Sequence, residues 1–152
     1  VKVGFRSKFW ELDGLPPAMF ADSTAERVTA TPGQDGTLHY LNVWIKGTRA
    51  SLMDRYDNVE IGQRVVADLE RIRPAARGKL AAAHVHSWGK YPYSRGAYHF
   101  FGLGGMGSYG EALVKPHGPI HWIGEHAAAL QQGMEGACES AENAVFGMIN
   151  EV

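Results

Sequence analysis

The chain has 152 residues, 45% of them hydrophobic and 20% charged, with a formal net charge of −1. This is enough apolar material for about one domain-sized core, and the scattered basic residues give neither a phosphate-backbone footprint nor a cationic membrane patch. The single cysteine, Cys138, excludes an internal disulfide and a multi-cysteine metal site, and no apolar run reaches the roughly 20 residues of a membrane helix.

Residues Val1 to Trp10 read as a strand that leaves through the turn Glu11-Leu12-Asp13-Gly14. It begins abruptly, without an entry turn, a methionine or a signal-peptide pattern, so we expect a chain cut from a longer polypeptide. Leu15-Pro16-Pro17 opens a loop. Arg27 to Thr31 and Thr37 to Ile45 then read as strands around Pro32-Gly33-Gln34-Asp35-Gly36, which predicts a β-hairpin. Apolar residues at helical spacing predict helices over Ala50 to Tyr56 and Val59 to Arg73. Pro74 closes the second, and their Asp and Arg side chains form a solvated face.

After Gly78, Lys79 to Trp88 reads as an apolar strand with His84 and His86 on one side. Two such imidazoles are an incomplete ligand set that His99, His121 or His126 would have to finish, and with no acidic cluster we assign no metal. Gly102-Leu103-Gly104-Gly105-Met106-Gly107 has the G-x-G-x-x-G spacing of a dinucleotide fingerprint, which needs a strand before it and a substantial helix after it. Tyr98 to Phe101 offers a strand, but the helical stretch Ser108 to Val114 is cut short by Pro116. The glycines are therefore assigned to a flexible covering loop.

The last third, Pro119 to Val152, organises the rest. Ile120, Trp122 and Ile123 predict a short strand that Gly124-Glu125 ends. A long helix opens at Gly133-Met134-Glu135-Gly136-Ala137. Met134, Ala137, Cys138, Ala141, Ala144, Val145, Met148 and Ile149 recur at the spacing of a buried face, so the helix is expected to dock on a sheet with Cys138 as a buried small hydrophobe. Small residues at its start leave the unpaired first-turn N–H groups approachable. An anion, or a ring that becomes anionic, is one occupant; close packing of helix on strand is the other reading.

Ile120-His121-Trp122-Ile123-Gly124-Glu125, followed by Gly133-Met134-Glu135-Gly136-Ala137 and Ser140-Ala141, resembles the carboxy-terminal signature of the flavin-dependent amine oxidase family, which includes monoamine, polyamine and L-amino-acid oxidases. The resemblance implies that Gly124 and Glu125 border the ribityl and phosphate groups of FAD, and that the Met134 amide faces the flavin pyrimidine edge and stabilises the reduced ring. Phe9-Trp10-Glu11 is similar to the end of the family strand whose lysine holds a water near flavin N5. That role falls on Lys2, with Lys8 or a residue before Val1 as alternatives. Trp88, Tyr93-Ser94-Arg95-Gly96-Ala97-Tyr98 and Phe100-Phe101 is similar to the segment that passes the flavin face. By that likeness Trp88 touches the cofactor, Tyr98 is one wall of the aromatic cage admitting the amine, and Gly133 stands where the opposite wall usually carries Trp or Tyr. Ala97 stands where some members carry a flavin-linked cysteine, which implies non-covalent FAD. Trp44 falls where L-amino-acid oxidases place a carboxylate-binding tyrosine, and its lack of a hydroxyl departs from a simple α-amino-acid site.

The implied fold class is α/β, an α+β fragment: residues 1–117 as part of a mixed-sheet substrate domain, and residues 118–152 as the last strand and helix of a Rossmann-like FAD domain. The implied reaction oxidises an amine or L-amino acid to an imine, with O2 reduced to H2O2. The implied partner is the amino-terminal chain or chains bearing the dinucleotide motif, in a hetero-oligomer like that of proteolytically processed oxidases such as L-glutamate oxidase. Neither nucleic acid nor membrane is an expected partner, and the sequence leaves the compartment open between cytoplasmic and secreted. A non-catalytic partner subunit and a histidine-centred metalloprotein stay open as readings from other classes.

Overall fold

The computed structural model describes residues 1–130 and 133–150, which divide into two compact units, Val1–Gly96 and the residues from Ala97 onward. The first unit is a five-stranded sheet with one long helix across one face. Its strands are β1 (Lys2–Phe5), β2 (Met19–Phe20), β3 (Arg27–Ala30), β4 (Tyr40–Trp44) and β5 (Leu80–His84), in the order β2-β3-β4-β1-β5. Among the described residues every strand pairing is antiparallel.

The hairpin expected from the turn chemistry is β3–β4, with Val28 opposite Val43. Period-2 alternation sends Val3, Val28, Leu41 and Val43 to one face, where they are buried. The same alternation sends Lys2, Thr29, Tyr40, Asn42 and Trp44 to the other face, which stays open. The buried face receives the helix that follows a shorter one, α2 (Gly47–Met53). That long helix, α3 (Asn58–Ile72), presents Ile61, Val65 and Leu69 at the i, i+4, i+8 spacing of a single stripe. Asp57 caps it by accepting from the Glu60 N–H at 2.8 Å, and Pro74 begins a 3₁₀ turn directly after its end. Each of these aliphatic side chains contributes about 1.5–3 kcal/mol by leaving water.

Three strand expectations in this unit are clearly too long, among them Thr37 to Ile45, of which only Tyr40–Trp44 is strand. The first ends at Phe5 because the exposed Arg6-Ser7-Lys8 turns the chain, so that Phe9 drops into the core and Trp10 starts a four-residue helix, α1 (Trp10–Asp13). Trp10 lies edge-on to Phe5 at 4.8 Å and to Phe9 at 5.2 Å. The last strand covers only Leu80–His84, so His86 lies beyond it, although the two imidazoles still stack with planes 9° apart.

The second unit contains α4 (Gly105–Tyr109) and α5 (Gly133–Asn150). The glycine run resembling a fingerprint has no strand at 98–101 before it, and a helix of only five residues follows. The strand predicted at Ile120-Trp122-Ile123 does not form: among the described residues its only ladder contact is a bridge between His117 and Ile120. A strand exists through its partner, and none is at hand among the described residues. The long helix is present, but not with the buried face expected. Its buried positions are Gly136 and Ser140, whereas Cys138, Met134, Val145 and Ile149 are exposed. What packs inward is a stripe of small residues against the 3₁₀ turn Glu125–Ala127.

Candidate functional site

The candidate residues fall into two groups. Lys2, Trp44 and Trp88 belong to the first unit; Tyr98, Gly124, Glu125, Gly133 and Met134 belong to the second.

On the open face of the sheet, Lys2 pairs with Asn42 on one side and with His84 on the other, next to a bulge between Lys2 and Val3. Bulges redirect the side chains beside them. The Lys2 Nζ sits 4.5 Å from the centre of the Tyr40 ring, an attraction that holds the ammonium over this face. Trp44 lies on the same face, two residues along β4 from Asn42, so the structure brings Lys2 and Trp44 to one surface. The Trp44 indole N–H donates to Thr29 Oγ1 at 3.3 Å. Lys8, the alternative lysine, instead pairs with Glu11 at 3.4 Å on a solvated turn. Trp88 stands edge-on to His86 at 4.4 Å and to Tyr91 at 6.2 Å, at the head of a half-exposed aromatic run.

In the second unit, Tyr98 is 75% exposed and has a backbone φ of +67°, a left-handed conformation that bulky residues rarely adopt. Its neighbour His99 places Nδ1 3.5 Å from Glu125 Oε2. Gly124 has φ +141° and ψ +171°, open in practice only to glycine, and a Cβ there would lie 2.8 Å from the His126 ring. Gly133 has φ +65° with nothing within 4 Å of where a Cβ would stand, and Met134 beside it is 85% exposed. The first turn of an 18-residue helix therefore begins at an uncrowded surface. On the flank of that helix a cleft of about 180 Å³ is lined by His121, Trp122, Ser140 and Asn143 among others.

Sequence reasoning assigned no role to four neighbours that the structure supplies: Tyr40 beneath Lys2, Thr29 on Trp44, His99 on Glu125, and Ser140, whose Oγ accepts the Gly124 N–H at 2.7 Å. The first three are long-range contacts that no spacing encodes. Ser140 carried two signals, its place in the family-like run Ser140-Ala141 and a hydroxyl in the middle of a helix among Gly and Ala, where it has to bond somewhere. Among the described residues no group of three or more His, Cys, Asp or Glu side chains is placed to hold a metal ion, and no helix is long and apolar enough to cross a membrane.

The chain belongs to the flavin containing amine oxidoreductase family, whose model matches residues 1–148. It is 28% identical over 149 residues to an L-amino-acid oxidase of Siganus canaliculatus, a match covering 90% of this chain and 27% of that protein. Putrescine oxidase, solved with putrescine bound, superposes with a TM-score of 0.75 at 24% identity, covering 97% of this chain and 34% of the other. Cyclohexylamine oxidase of Brevibacterium oxydans IH-35A gives 0.78 at 21% identity, over 99% and 34%. The chain thus spans about three-tenths of the length of the curated relatives it matches.

Proposed function

We propose that this chain is the carboxy-terminal part of an FAD-dependent oxidase that converts an amine or L-amino acid to an imine, with O2 reduced to H2O2. The observation that carries the reading is the family match across residues 1–148. The residues fit the cofactor: the open backbone at Gly133 and the exposed Met134 let a flat ring approach first-turn N–H groups, which favour negative charge. FAD, when bound, supplies the acceptor for the hydride leaving the amine-bearing carbon and delivers the electrons to oxygen.

The chain's own residues then have distinct tasks. The Met134 amide stabilises charge at the ring edge, and Gly124 and Glu125 border the ribityl and phosphate region. Lys2, held over Tyr40, orients a water by donating from its ammonium. Trp88 and Tyr98 give aromatic surface to cofactor and substrate, and Gly133 leaves the opposite side of the cage wide. With Ala97 in place of a cysteine, the cofactor is held without a covalent bond.

Trp44 bears on the substrate class. Its only hydrogen-bonding group is an N–H already given to Thr29. The indole N–H is thus not free for a substrate carboxylate, which favours a simple amine over an α-amino acid. The partner is the polypeptide carrying the dinucleotide motif and the remaining two-thirds of the fold. The test is the visible spectrum of the chain purified together with that partner. Flavin bands that bleach anaerobically with one amine, and peroxide formed once air is admitted, are expected. A colourless complex overturns the reading and leaves the non-catalytic subunit.

A further inference from the structure

Ser140 is 4% exposed, on a helix stripe of small residues. Its hydroxyl is explained by two bonds: it accepts the Gly124 N–H at 2.7 Å and donates to the Ala137 carbonyl at 3.0 Å. The adjacent Glu139 reaches the other end of the same loop, where Oε1 accepts the N–H groups of Ala129 at 3.1 Å and Leu130 at 3.2 Å. Consecutive helical residues point about 100° apart, so a single turn of α5 grips both ends of residues 124–130. Between the grips the loop closes on itself, the Ala127 N–H donating to the Gly124 carbonyl at 2.9 Å. The Gly124 conformation lies outside the ordinary wells and persists only where its surroundings hold it.

We propose that Ser140 and Glu139 are positioning residues that clamp the 124–130 loop, and so fix the shape in which Gly124 and Glu125 meet the cofactor. The inference rests on the flavin reading above. Neither side chain needs to touch the cofactor. Ser140 acts through the Gly124 amide and Glu139 through Ala129 and Leu130.

The test uses the assembled flavoprotein with Ser140→Ala, Ser140→Thr and Glu139→Ala, read by FAD dissociation, visible circular dichroism of the bound flavin, and amide hydrogen exchange. Ser140→Ala is expected to raise exchange at Gly124, weaken FAD about ten-fold and alter the flavin dichroism, as the loss of one buried hydrogen bond predicts. Ser140→Thr keeps the hydroxyl and restores all three. Glu139→Ala raises exchange at Ala129 and Leu130 and weakens FAD in the same direction. Unchanged exchange overturns the clamp; faster exchange with unaltered FAD affinity and dichroism reduces it to a packing feature and overturns the positioning role. If the parent complex retains no flavin, the functional reading fails by itself. Exchange at Gly124, Ala129 and Leu130 then decides the clamp alone: a rise supports it and none overturns it.

Discussion

Arg73 is 5% exposed and charged, so its partners decide whether the first unit holds together. Its guanidinium donates to both oxygens of Asp13 at 2.7 and 2.8 Å and to the Pro16 carbonyl at 2.9 Å, tying the exit of α1 to the end of α3. Arg73→Ala strands those acceptors and is expected to lower the melting temperature by more than about 5 °C. The hydrogen bond from Arg73 holds the Asp13 carboxyl below the usual carboxylate range. A lowered native pKa stabilises wherever the carboxylate stays ionised. The Asp13 contribution is therefore complete only well above the ordinary carboxylate pKa of about 4 and is lost as pH falls through the lower native value. Melting curves of the parent and Asp13→Asn should keep a constant gap from pH 7 to about 5 and converge in stronger acid.

At the scale of elements, Gly62 decides how closely α3 meets β5. A Cβ there would lie 2.6 Å from that of Ala82, closer than carbon atoms approach without displacement. Gly62→Ala is expected to cost about 1–3 kcal/mol in urea unfolding, and Ala82→Gly in the same background should recover part of it, a coupling that a double-mutant cycle measures. The α3 helix and the β3–β4 hairpin were legible in the sequence, because a repeating stripe at Ile61, Val65 and Leu69 and a Pro-Gly-rich turn are local signals. The strand at Ile120-Trp122-Ile123 was misread because its apolar pattern is real and its hydrogen-bonding partner is not among the described residues. The buried stripe of α5 was misread for a related reason. Helical spacing marked Met134, Cys138, Val145 and Ile149 as apolar, while the surface against which they would be buried is not among the described residues. Of the candidate site, the family likeness named Gly124 and Gly133 for their place beside cofactor and substrate; their positive φ values were not foreseen. The grip of Ser140 on Gly124 spans 16 residues and left no periodic trace.

For the whole molecule, the aliphatic core lies in the first unit, while Trp122, Leu130, Met134, Phe146 and Ile149 of the second face outward. So many large apolar side chains in contact with water mark an interaction surface. The isolated chain is expected to bind a hydrophobic dye strongly and to sediment as a mixture of sizes. Coexpression with the amino-terminal polypeptide proposed above should abolish dye binding and give one sharp species, and a monodisperse, dye-silent isolated chain would refute the proposed assembly. The sheet adds a hazard of its own. On β5, the last in the strand order, Ala81, Ala82, Ala83 and His84 are exposed, with neither lysine nor proline to guard that rim. Left bare, such a rim can template the addition of further extended segments, and the growth of ordered fibrils from the isolated chain would then be set by three alanines and a histidine.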